Sequence, residues 1–515
     1  MRSFYSNCFI LFFILSGISC NEKEKPNNDF GTVSFIGIEL LNPSSFPSGK
    51  ISTQNVWEHT YQNRITIQFE SSTGQKSNLE IQPNDFSIPY SIELPTGTYS
   101  LSSIRSTDLY SDILPIWVNQ EITINPGTQS LTLEATSDYG LFTLSNKNLG
   151  TSTPLLVPQN VQLFSRDDFF YLYALKDQAM SIRINLLDNE SYFRFNWQVS
   201  SYSHRHLDLY FTDQNASSFS FSPVDFSLDQ NFIELNANGI PSSLSPIILA
   251  DLETSQNENS GLAYIQNRLF SINDGGNSSE IFELDPLTGK VIRAINVKNS
   301  TNKDWEDLAQ NDTHLFIGDF GNNTGTRKDL SVLKIPITDV LAKEEVDATR
   351  LTFSYSDQSD FSGNGGNHNF DCEAFFFWND ALHLFTKNRL DQKTSHYTLN
   401  PNSSNAIALR TGSFPVDGLI TGASISPEGN VVLLGYQENG FSSKSFVWLF
   451  SDYSNSDFFS GKASSIFIGS PGLLSQTEGI VFEKEGNLFI SGERISLGGQ
   501  SLPARISKID FTGLF

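Results

Sequence analysis

Carboxylate side chains recur at the start of apolar runs in the second half of this sequence. The most complete example is DWEDLA at 304–309, and DCEA at 371–374 repeats its acid-x-acid start. Carboxylates that are crowded into one site repel one another and need protons or a cation as compensation. Such oxygen ligands suit the hard cation Ca²⁺. A carboxylate beside a bound cation can also serve as the general base of a hydrolytic reaction.

If these starts converge in the fold, six acidic residues are the candidate metal ligands: Glu258, Asp304, Glu306, Asp371, Glu373 and Glu478. Glu306 and Glu373 are also the candidate catalytic bases. Six further polar residues are expected at the same place: Asn273, Asp274, Asp319, Asn322, Lys387 and Glu493. In the structural alternative, the acids cap turns, hold a structural calcium, or form salt bridges with nearby basic residues: Arg327, Lys387, Arg389 and Arg494.

A repeated hairpin must position these residues. Five apolar strands begin at the key positions Ser260, Glu306, Glu373, Thr421 and Glu478, which are 46, 67, 48 and 57 residues apart. Each is followed, after a short turn, by a second strand that ends 13 or 14 residues beyond the key position. Constant spacing inside units with variable gaps between them predicts a β-propeller, whose inner hairpins are fixed and whose outer strands vary.

The expected propeller spans residues 245–515. Five inner hairpins are visible, whereas a domain of roughly 270 residues suits six blades at about 40–45 residues each, so five or six blades are predicted. The last strand, 506–511, is expected to pair with 246–251 and close the ring, which removes exposed strand edges. A β-helix or a pair of sandwiches is the alternative, but sandwiches would not repeat an acidic start.

Six short motifs resemble a known family: ENSGL at 258–262, NDGG at 273–276, DWEDLA at 304–309, GDFGNN at 318–323, DCEA at 371–374 and QTEGI at 476–480. They are similar to bacterial extracellular propellers of the esterase-like phytase type. More distantly they resemble the gluconolactonase-type propellers, whose central channel holds a divalent metal. The resemblance covers about half of the chain. It implies a cation at the mouth of a central channel.

The first half predicts further β-structure. Alternating apolar and polar residues at 31–41, 64–70 and 90–94 indicate strands of a β-sandwich-like module over 31–137. Aromatic and β-branched runs predict a second β-rich module over 138–240. The fold class expected is therefore all-β, with N-terminal β-sandwich modules before the propeller.

The N-terminus resembles a bacterial lipoprotein signal. Arg2 precedes an apolar core at 9–15, and the small residues of SGIS at 16–19 precede Cys20. This core is too short to span a membrane. We expect a signal peptide at 1–20, a polar tether at 21–30 and lipidation of Cys20. These features predict a lipoprotein of the cell envelope, in the outer membrane of a Gram-negative bacterium.

The charge balance limits the partners. The 515 residues include 57 acidic and 33 basic side chains, a formal net charge of −24, which disfavours nucleic acid. The expected function is ligand binding by the propeller of a membrane-anchored protein, with a surface glycan, peptide or small molecule as ligand and calcium at the channel mouth. The alternative is a calcium-dependent hydrolase of phosphoesters, esters or lactones. An enzyme needs an open metal position and a base within reach, and a binding module needs neither.

Overall fold

The computed structural model describes residues 29–41, 57–187, 191–211, 226–363, 367–438, 442–484, 486–497 and 500–515. The predicted signal peptide, Cys20 and nearly all of the tether lie outside these ranges. Within them the chain forms forty strands and two short α-helices, α1 (Ile337–Ala342) and α2 (Pro471–Leu474). The predicted all-β fold class is confirmed. No helix in the described ranges is long and apolar enough to cross a membrane.

The chain divides into two compact units. The first takes the described residues up to Asp138, except Trp57 and 109–112, which belong with Tyr139–Phe515 in the second. The first unit contains seven strands: β1 (Phe30–Leu40), β2 (Ile65–Ser71), β3 (Lys76–Ile81), β4 (Tyr90–Pro95), β5 (Gly97–Ser102), β7 (Trp117–Ile124) and β8 (Gly127–Thr136). The short β6 (Tyr110–Ser111) lies in the second unit.

The first unit is a β-sandwich. Its strands follow the order β3-β2-β5-β7-β8-β1-β4, with β1 parallel to β8. Alternate residues of β2 are buried, as the sequence pattern predicts. Although β1 and β2 lie in different halves of this path, the Phe35 and Phe69 ring centroids are 6.2 Å apart. The two halves therefore face each other across a shared apolar core.

A second β-sandwich opens the larger unit. Its strands are β9 (Tyr139–Ser145), β10 (Leu155–Val157), β11 (Val161–Gln162), β12 (Phe164–Arg166), β13 (Phe169–Leu175), β14 (Ala179–Asn185), β15 (Tyr192–Gln198), β16 (Ser203–Phe211) and β17 (Ser227–Leu235). One sheet has the order β11-β10-β14-β15 and the other β12-β13-β9-β16-β17, with β6 paired to β13. Phe142 of the second sheet contacts the rings of Phe195 and Trp197 in the first.

The described residues of the C-terminal half form five four-stranded blades. The first blade has β19 (Asn259–Ile265), β20 (Arg268–Asn273), β21 (Glu280–Leu284) and β22 (Val291–Val297), with β26 (Glu345–Val346) added at its edge. The second has β23 (Trp305–Gln310), β24 (His314–Asp319), β25 (Ser331–Pro336) and β27 (Thr349–Tyr355), and the third has β28 (Cys372–Trp378), β29 (Ala381–Thr386), β30 (Lys393–Leu399) and β31 (Ala406–Pro415). The fourth has β32 (Leu419–Ile425), β33 (Val431–Gln437), β34 (Lys444–Ser451) and β35 (Lys462–Gly469).

The fifth blade closes the ring. It combines β36 (Gln476–Lys484), β37 (Asn487–Glu493) and β40 (Arg505–Asp510) with β18 (Ile247–Asp251) from the start of the propeller. The antiparallel pairing of β18 with β40 confirms the predicted closure. A small hairpin, β38 (Ile495–Leu497) and β39 (Gln500–Leu502), precedes β40. The five innermost strands β19, β23, β28, β32 and β36 contact one another in a closed circle, so the described fold has five blades.

Candidate metal and ligand site at the channel mouth

A β-bulge lies at the same place in every inner hairpin of the propeller. The pairing register shifts between residues 259 and 262, 305 and 308, 372 and 374, 420 and 422, and 477 and 479. Each shift contains one of the five key positions named from the sequence. Because a bulge re-aims the side chain of the extra residue, these irregularities give Glu306, Glu373 and Glu478 directions that regular strand alternation would not.

Below the bulges, the channel is narrow. All five inner strands contribute to a cavity of about 70 Å³ whose lining includes Leu262, Leu308, Phe376, Ile425 and Val481. Room for polar chemistry therefore lies at the end of the channel where the inner strands begin. We call this end the channel mouth.

Three carboxylates converge at the channel mouth between the first and second blades. One oxygen each from Asp274, Asp304 and Glu306 lie within 4.8 Å of one another. Asp274 follows β20, Asp304 precedes β23, and Glu306 is the bulge residue of β23. We call these three residues the carboxylate trio.

Burial and mutual repulsion favour the protonated form of the trio's carboxyl groups. Burial and the neighbouring Asp274 raise the pKa of Asp304 to about 6. Burial, together with Glu373 and both other trio members, raises the pKa of Glu306 well above its ordinary value. Burial likewise raises the pKa of Asp274, although its hydrogen bond from the Gly275 N–H opposes this. A bound cation would relieve the same repulsion.

The lack of a side chain at two glycines makes room for the carboxylates of the trio. A Cβ at Gly321 would overlap Glu306 Oε1 and approach the Asp304 carboxylate, and a Cβ at Gly275 would overlap Asp304 Oδ1. Both belong to motifs noted in the sequence, NDGG and GDFGNN. Asn273, next to Asp274, has a buried Oδ1 with no hydrogen-bond partner within the described residues. The donor set consists of oxygen atoms in a space kept clear of side chains, which fits a hard divalent cation.

The other predicted ligands are compensated by neighbours. Asp371 forms an ion pair with Arg389 and accepts a hydrogen bond of 2.6 Å from the Asn322 N–H. Glu373 Oε2 lies 3.3 Å from Lys387 Nζ, and both side chains are buried. These contacts agree with the salt-bridge alternative for this part of the mouth.

Glu478 and Glu258 also lie apart from the trio. Glu478 Oε1 accepts a hydrogen bond of 2.6 Å from Gln476 Nε2, which also donates to Glu493 Oε1 at 2.6 Å. Glu258 is exposed, and its Oε2 accepts a hydrogen bond of 2.6 Å from Asn277 Nδ2. The structure thus brings two of the six predicted ligands, Asp304 and Glu306, together with Asp274.

The remaining polar residues have distinct positions. Asp319 is fully buried and accepts from Arg327 and Arg350 at 3.0 Å each. Asn322 donates through its side chain to Phe370 O at 3.0 Å. Burial and the Asp274 charge raise the pKa of Glu493 to about 7. Asp319 and Asn322 thus support the loops around the trio, whereas Glu493 adds a further titrating carboxylate to the mouth.

The carboxyl groups of Glu306 and Glu373 interact directly, and each affects the pKa of the other. Burial is the main cause that raises the pKa of Glu373 to about 8, while Lys387 and a hydrogen bond with Glu306 oppose it. Glu373 in turn contributes to the raised pKa of Glu306. The pair therefore links the carboxylate trio to the buried Glu373–Lys387 ion pair.

Sequence reasoning missed Gln476 and Tyr436. Gln476 precedes its key residue Glu478 by two positions, as Asp304 precedes Glu306, so aligning the five starts would have found it. Tyr436 ends a second strand, and its ring centroid lies 5.6 Å from Lys387 Nζ. No acidic motif marks it in the sequence.

Comparison with known proteins gives distant likenesses. No family model matches this sequence, and no curated protein matches it either. Among solved structures, the chain is similar to a gluconolactonase from Xanthomonas campestris, with 15% identity, coverage of 48% of this chain and 71% of that chain, and a TM-score of 0.27. It is also similar to a mannose phosphorylase from Leishmania mexicana, with 12% identity, coverage of 51% and 87%, and a TM-score of 0.30. Similarities of this size assign neither a family nor an activity to the chain.

Proposed function

We propose that the channel mouth binds a calcium ion on Asp274, Asp304 and Glu306, and that the protein is a calcium-dependent hydrolase of small carboxylic esters or lactones. The carboxylate trio is the observation that supports this proposal most directly. Its three oxygens converge, and the ion pair of Asp304 Oδ2 with Arg327 Nη1 is long, at 4.0 Å. Elsewhere at the mouth the acids are paired with basic or amide groups.

Glu373 is the proposed general base. Its carboxyl lies beside Glu306, a proposed ligand, and its Oε2 lies 3.3 Å from Lys387 Nζ, an ion pair that restrains its orientation. A calcium ion supplies polarisation of the acyl oxygen and activation of water. Glu373 takes a proton from the attacking water as the water oxygen bonds to the acyl carbon. It returns that proton to the leaving alkoxide as the ester bond breaks.

Calcium-dependent ligand binding without turnover is the second candidate function. The ion pair with Lys387 and the hydrogen bond with Glu306 favour it, because both engage the proposed base. The two candidates share the cation site and differ in whether Glu373 transfers a proton.

The first test separates these candidates. Calcium at a hundredfold excess over its Kd is expected to stabilise the protein by about 2.7 kcal/mol, measured as a rise in Tm. Glu306→Gln should weaken calcium binding at least about tenfold, because it removes a charged ligand. Glu373→Gln should retain binding and lower kcat about 100-fold on an aryl ester or lactone.

Glu345→Gln is the matched control, because it removes one exposed charge at the outer edge of the first blade. It should behave as the wild type in calorimetric titration and in turnover. No calcium-dependent rise in Tm, or the same titration curve for Glu306→Gln, would contradict the cation site. Calcium binding without turnover of an ester, a lactone or a phosphomonoester would reject the hydrolase and support calcium-dependent ligand binding.

We also propose that the protein is anchored to the cell envelope through a lipid on Cys20. The apolar core and the small residues before Cys20 support this proposal. Cys20→Ser is expected to move the protein from the membrane fraction to the soluble fraction and to abolish incorporation of a labelled fatty acid. A Cys372→Ser control removes a buried cysteine and should keep both properties. Membrane association of Cys20→Ser would count against the anchor.

A further inference from the structure

A second cavity adjoins the channel mouth on the fourth and fifth blades. It has a volume of about 430 Å³, and we call it the side pocket. Its lining lies at the ends of β33 and β37 and at the starts of α2, β36 and β38, and includes Tyr436, Glu438, Pro471, Gln476, Glu493, Arg494 and Ile495.

The side pocket and the channel mouth share a wall. Gln476 Nε2 bridges Glu493, in the pocket lining, and Glu478, at a key position of the mouth. Tyr436 lines the pocket, and its ring centroid is 5.6 Å from the buried Lys387 Nζ. The Glu493 charge interacts with Asp274 of the carboxylate trio. A molecule in the side pocket would therefore meet residues that also interact with the acids of the channel mouth.

Hydrogen-bond acceptors dominate the polar part of this wall. Glu438 and Glu493 contribute carboxylates. Both amide hydrogens of Gln476 are used by Glu478 and Glu493, which leaves its carbonyl oxygen as the group that a ligand can meet. Among the lining residues given above, Arg494 alone is basic, and its Nη1 donates to Ser501 at 3.4 Å, outside that lining. The wall is thus suited to a ligand that donates hydrogen bonds.

The surrounding charge favours a cation. Among the charged residues of the lining, the two acids Glu438 and Glu493 outnumber the single base Arg494, and this excess of negative charge attracts ammonium groups and repels carboxylates. Tyr436, Pro471 and Ile495 add an aromatic and an apolar surface. Because Lys387 Nζ already lies 5.6 Å from the Tyr436 ring centroid, this surface suits the apolar stem of an ammonium ligand, while the two carboxylates suit its charged end.

We propose that the side pocket binds a primary ammonium group on an apolar stem, and that it selects cationic amines as ligands of the channel mouth. The ammonium group lies against Glu493 and Glu438, and the stem packs on Tyr436, Pro471 and Ile495. As the specificity pocket of the proposed hydrolase, the site rests on that function. As an amine-binding pocket it does not, because binding requires no turnover.

The test compares three probes of equal size on the calcium-saturated protein: benzylammonium, benzyl alcohol and benzoate, each titrated by calorimetry or ligand-observed NMR. Benzylammonium should bind at least about tenfold more tightly than benzyl alcohol, and benzoate should not bind. Glu493→Gln should lower benzylammonium affinity about tenfold and leave benzyl alcohol unchanged. Glu345→Gln should leave all three titrations unchanged.

Equal affinity for the alcohol and the ammonium, tighter binding of benzoate, or an unchanged affinity in Glu493→Gln would overturn the proposal. If Glu493→Gln lowers the Tm and misfolds, Glu438→Gln decides instead, since Glu438 is exposed and lines the same pocket. Amine binding without hydrolysis would refute the enzyme and keep the pocket. Hydrolysis with no preference among ammonium, neutral and carboxylate esters would support the enzyme and refute the amine pocket.

Discussion

Gly275 and Gly321 leave room for carboxylates that a side chain would displace. In the sequence these glycines look like turn residues. In the structure, a Cβ at either position would overlap an oxygen of Asp304 or Glu306. Neither glycine has a positive φ. Their importance therefore comes from the close approach of side chains rather than from the backbone conformation.

Gly321→Ala is a direct residue-level test of the cation site. The added methyl group should displace Glu306 and Asp304 and weaken calcium binding at least about tenfold. The unfolding free energy should fall by about 1–3 kcal/mol, the usual cost of overpacking. Calorimetric calcium titration and thermal melting measure the two effects. Gly472→Ala is the control, because the nearest atom to its added Cβ is Ser470 Oγ at 3.7 Å. Calcium affinity that is equal in both variants would contradict the trio as ligands.

The acids of the site could be named from the sequence, but their grouping could not. The proximity of Asp304 and Glu306 follows from the sequence, because they are only two positions apart. Asp274 approaches them from the preceding blade, whereas Asp371 forms an ion pair with Arg389. These pairings depend on side-chain directions set by the bulges and on arginines distant in sequence, which spacing alone does not specify.

At the scale of elements, the inner hairpins were predictable from the sequence, and the lengths of chain between them were what left the blade number open. The inner strands repeat an apolar run and a turn at fixed spacing, so the sequence predicts all five and the closing strand. The intervals between them vary because the second blade carries α1 and β26 between its third and fourth strands. That variable length left the blade number open between five and six.

The third blade contains a buried histidine pair that the sequence did not reveal. His383 Nδ1 and His396 Nε2 are 2.9 Å apart, His383 Nε2 lies 3.1 Å from Trp378 O, and His396 Nδ1 lies 2.7 Å from Thr411 Oγ1. This chain fits two neutral rings, each protonated on Nε2. Burial lowers the pKa of His383 to about 4. Burial and the neighbouring His383 lower the pKa of His396 to about 3.

This pair predicts acid sensitivity of the third blade. Unfolded histidine has a pKa near 6.5, so between about pH 6.5 and 4 these two rings bind protons in the unfolded chain and remain largely neutral in the folded one. As the pH falls over this range, each ring should lower the free energy of unfolding by on the order of 2–3 kcal/mol, whereas the carboxyls with raised pKa values at the channel mouth contribute with the opposite sign. Urea unfolding at a series of pH values measures this slope.

His396→Gln should flatten the slope, because it removes one titrating ring and keeps a side-chain donor for His383. His368→Gln, in a loop before the third blade, should preserve the slope, since both members of the pair remain. A slope that is the same in wild type and His396→Gln would show that other groups cause the acid sensitivity.

At the scale of the whole molecule, the second sandwich and the propeller share one hydrophobic core. Leu207 of β16 and Leu434 of β33 belong to the same buried cluster. Hydrogen bonds also join the two parts, from the Tyr192 N–H to Gly513 O at 2.7 Å and from Asn238 Nδ2 to Ala463 O at 3.0 Å. Apolar strand patterns reveal that a face is buried but not which distant strand covers it, so this shared core could not be predicted.

The shared core predicts cooperative unfolding of the larger unit. Leu207→Ala in the sandwich and Leu434→Ala in the propeller should each lower the same calorimetric transition, with a loss of about 2–5 kcal/mol as is usual for a buried leucine. Leu101→Ala is the matched control, because Leu101 is fully buried in the first compact unit, and it should leave that transition in place. If Leu207→Ala and Leu434→Ala shifted two separate transitions, the sandwich and the propeller would unfold independently. The channel mouth would then be insulated from the sandwich. A single transition would instead mean that mutations in either part change the stability of the scaffold that positions the carboxylate trio.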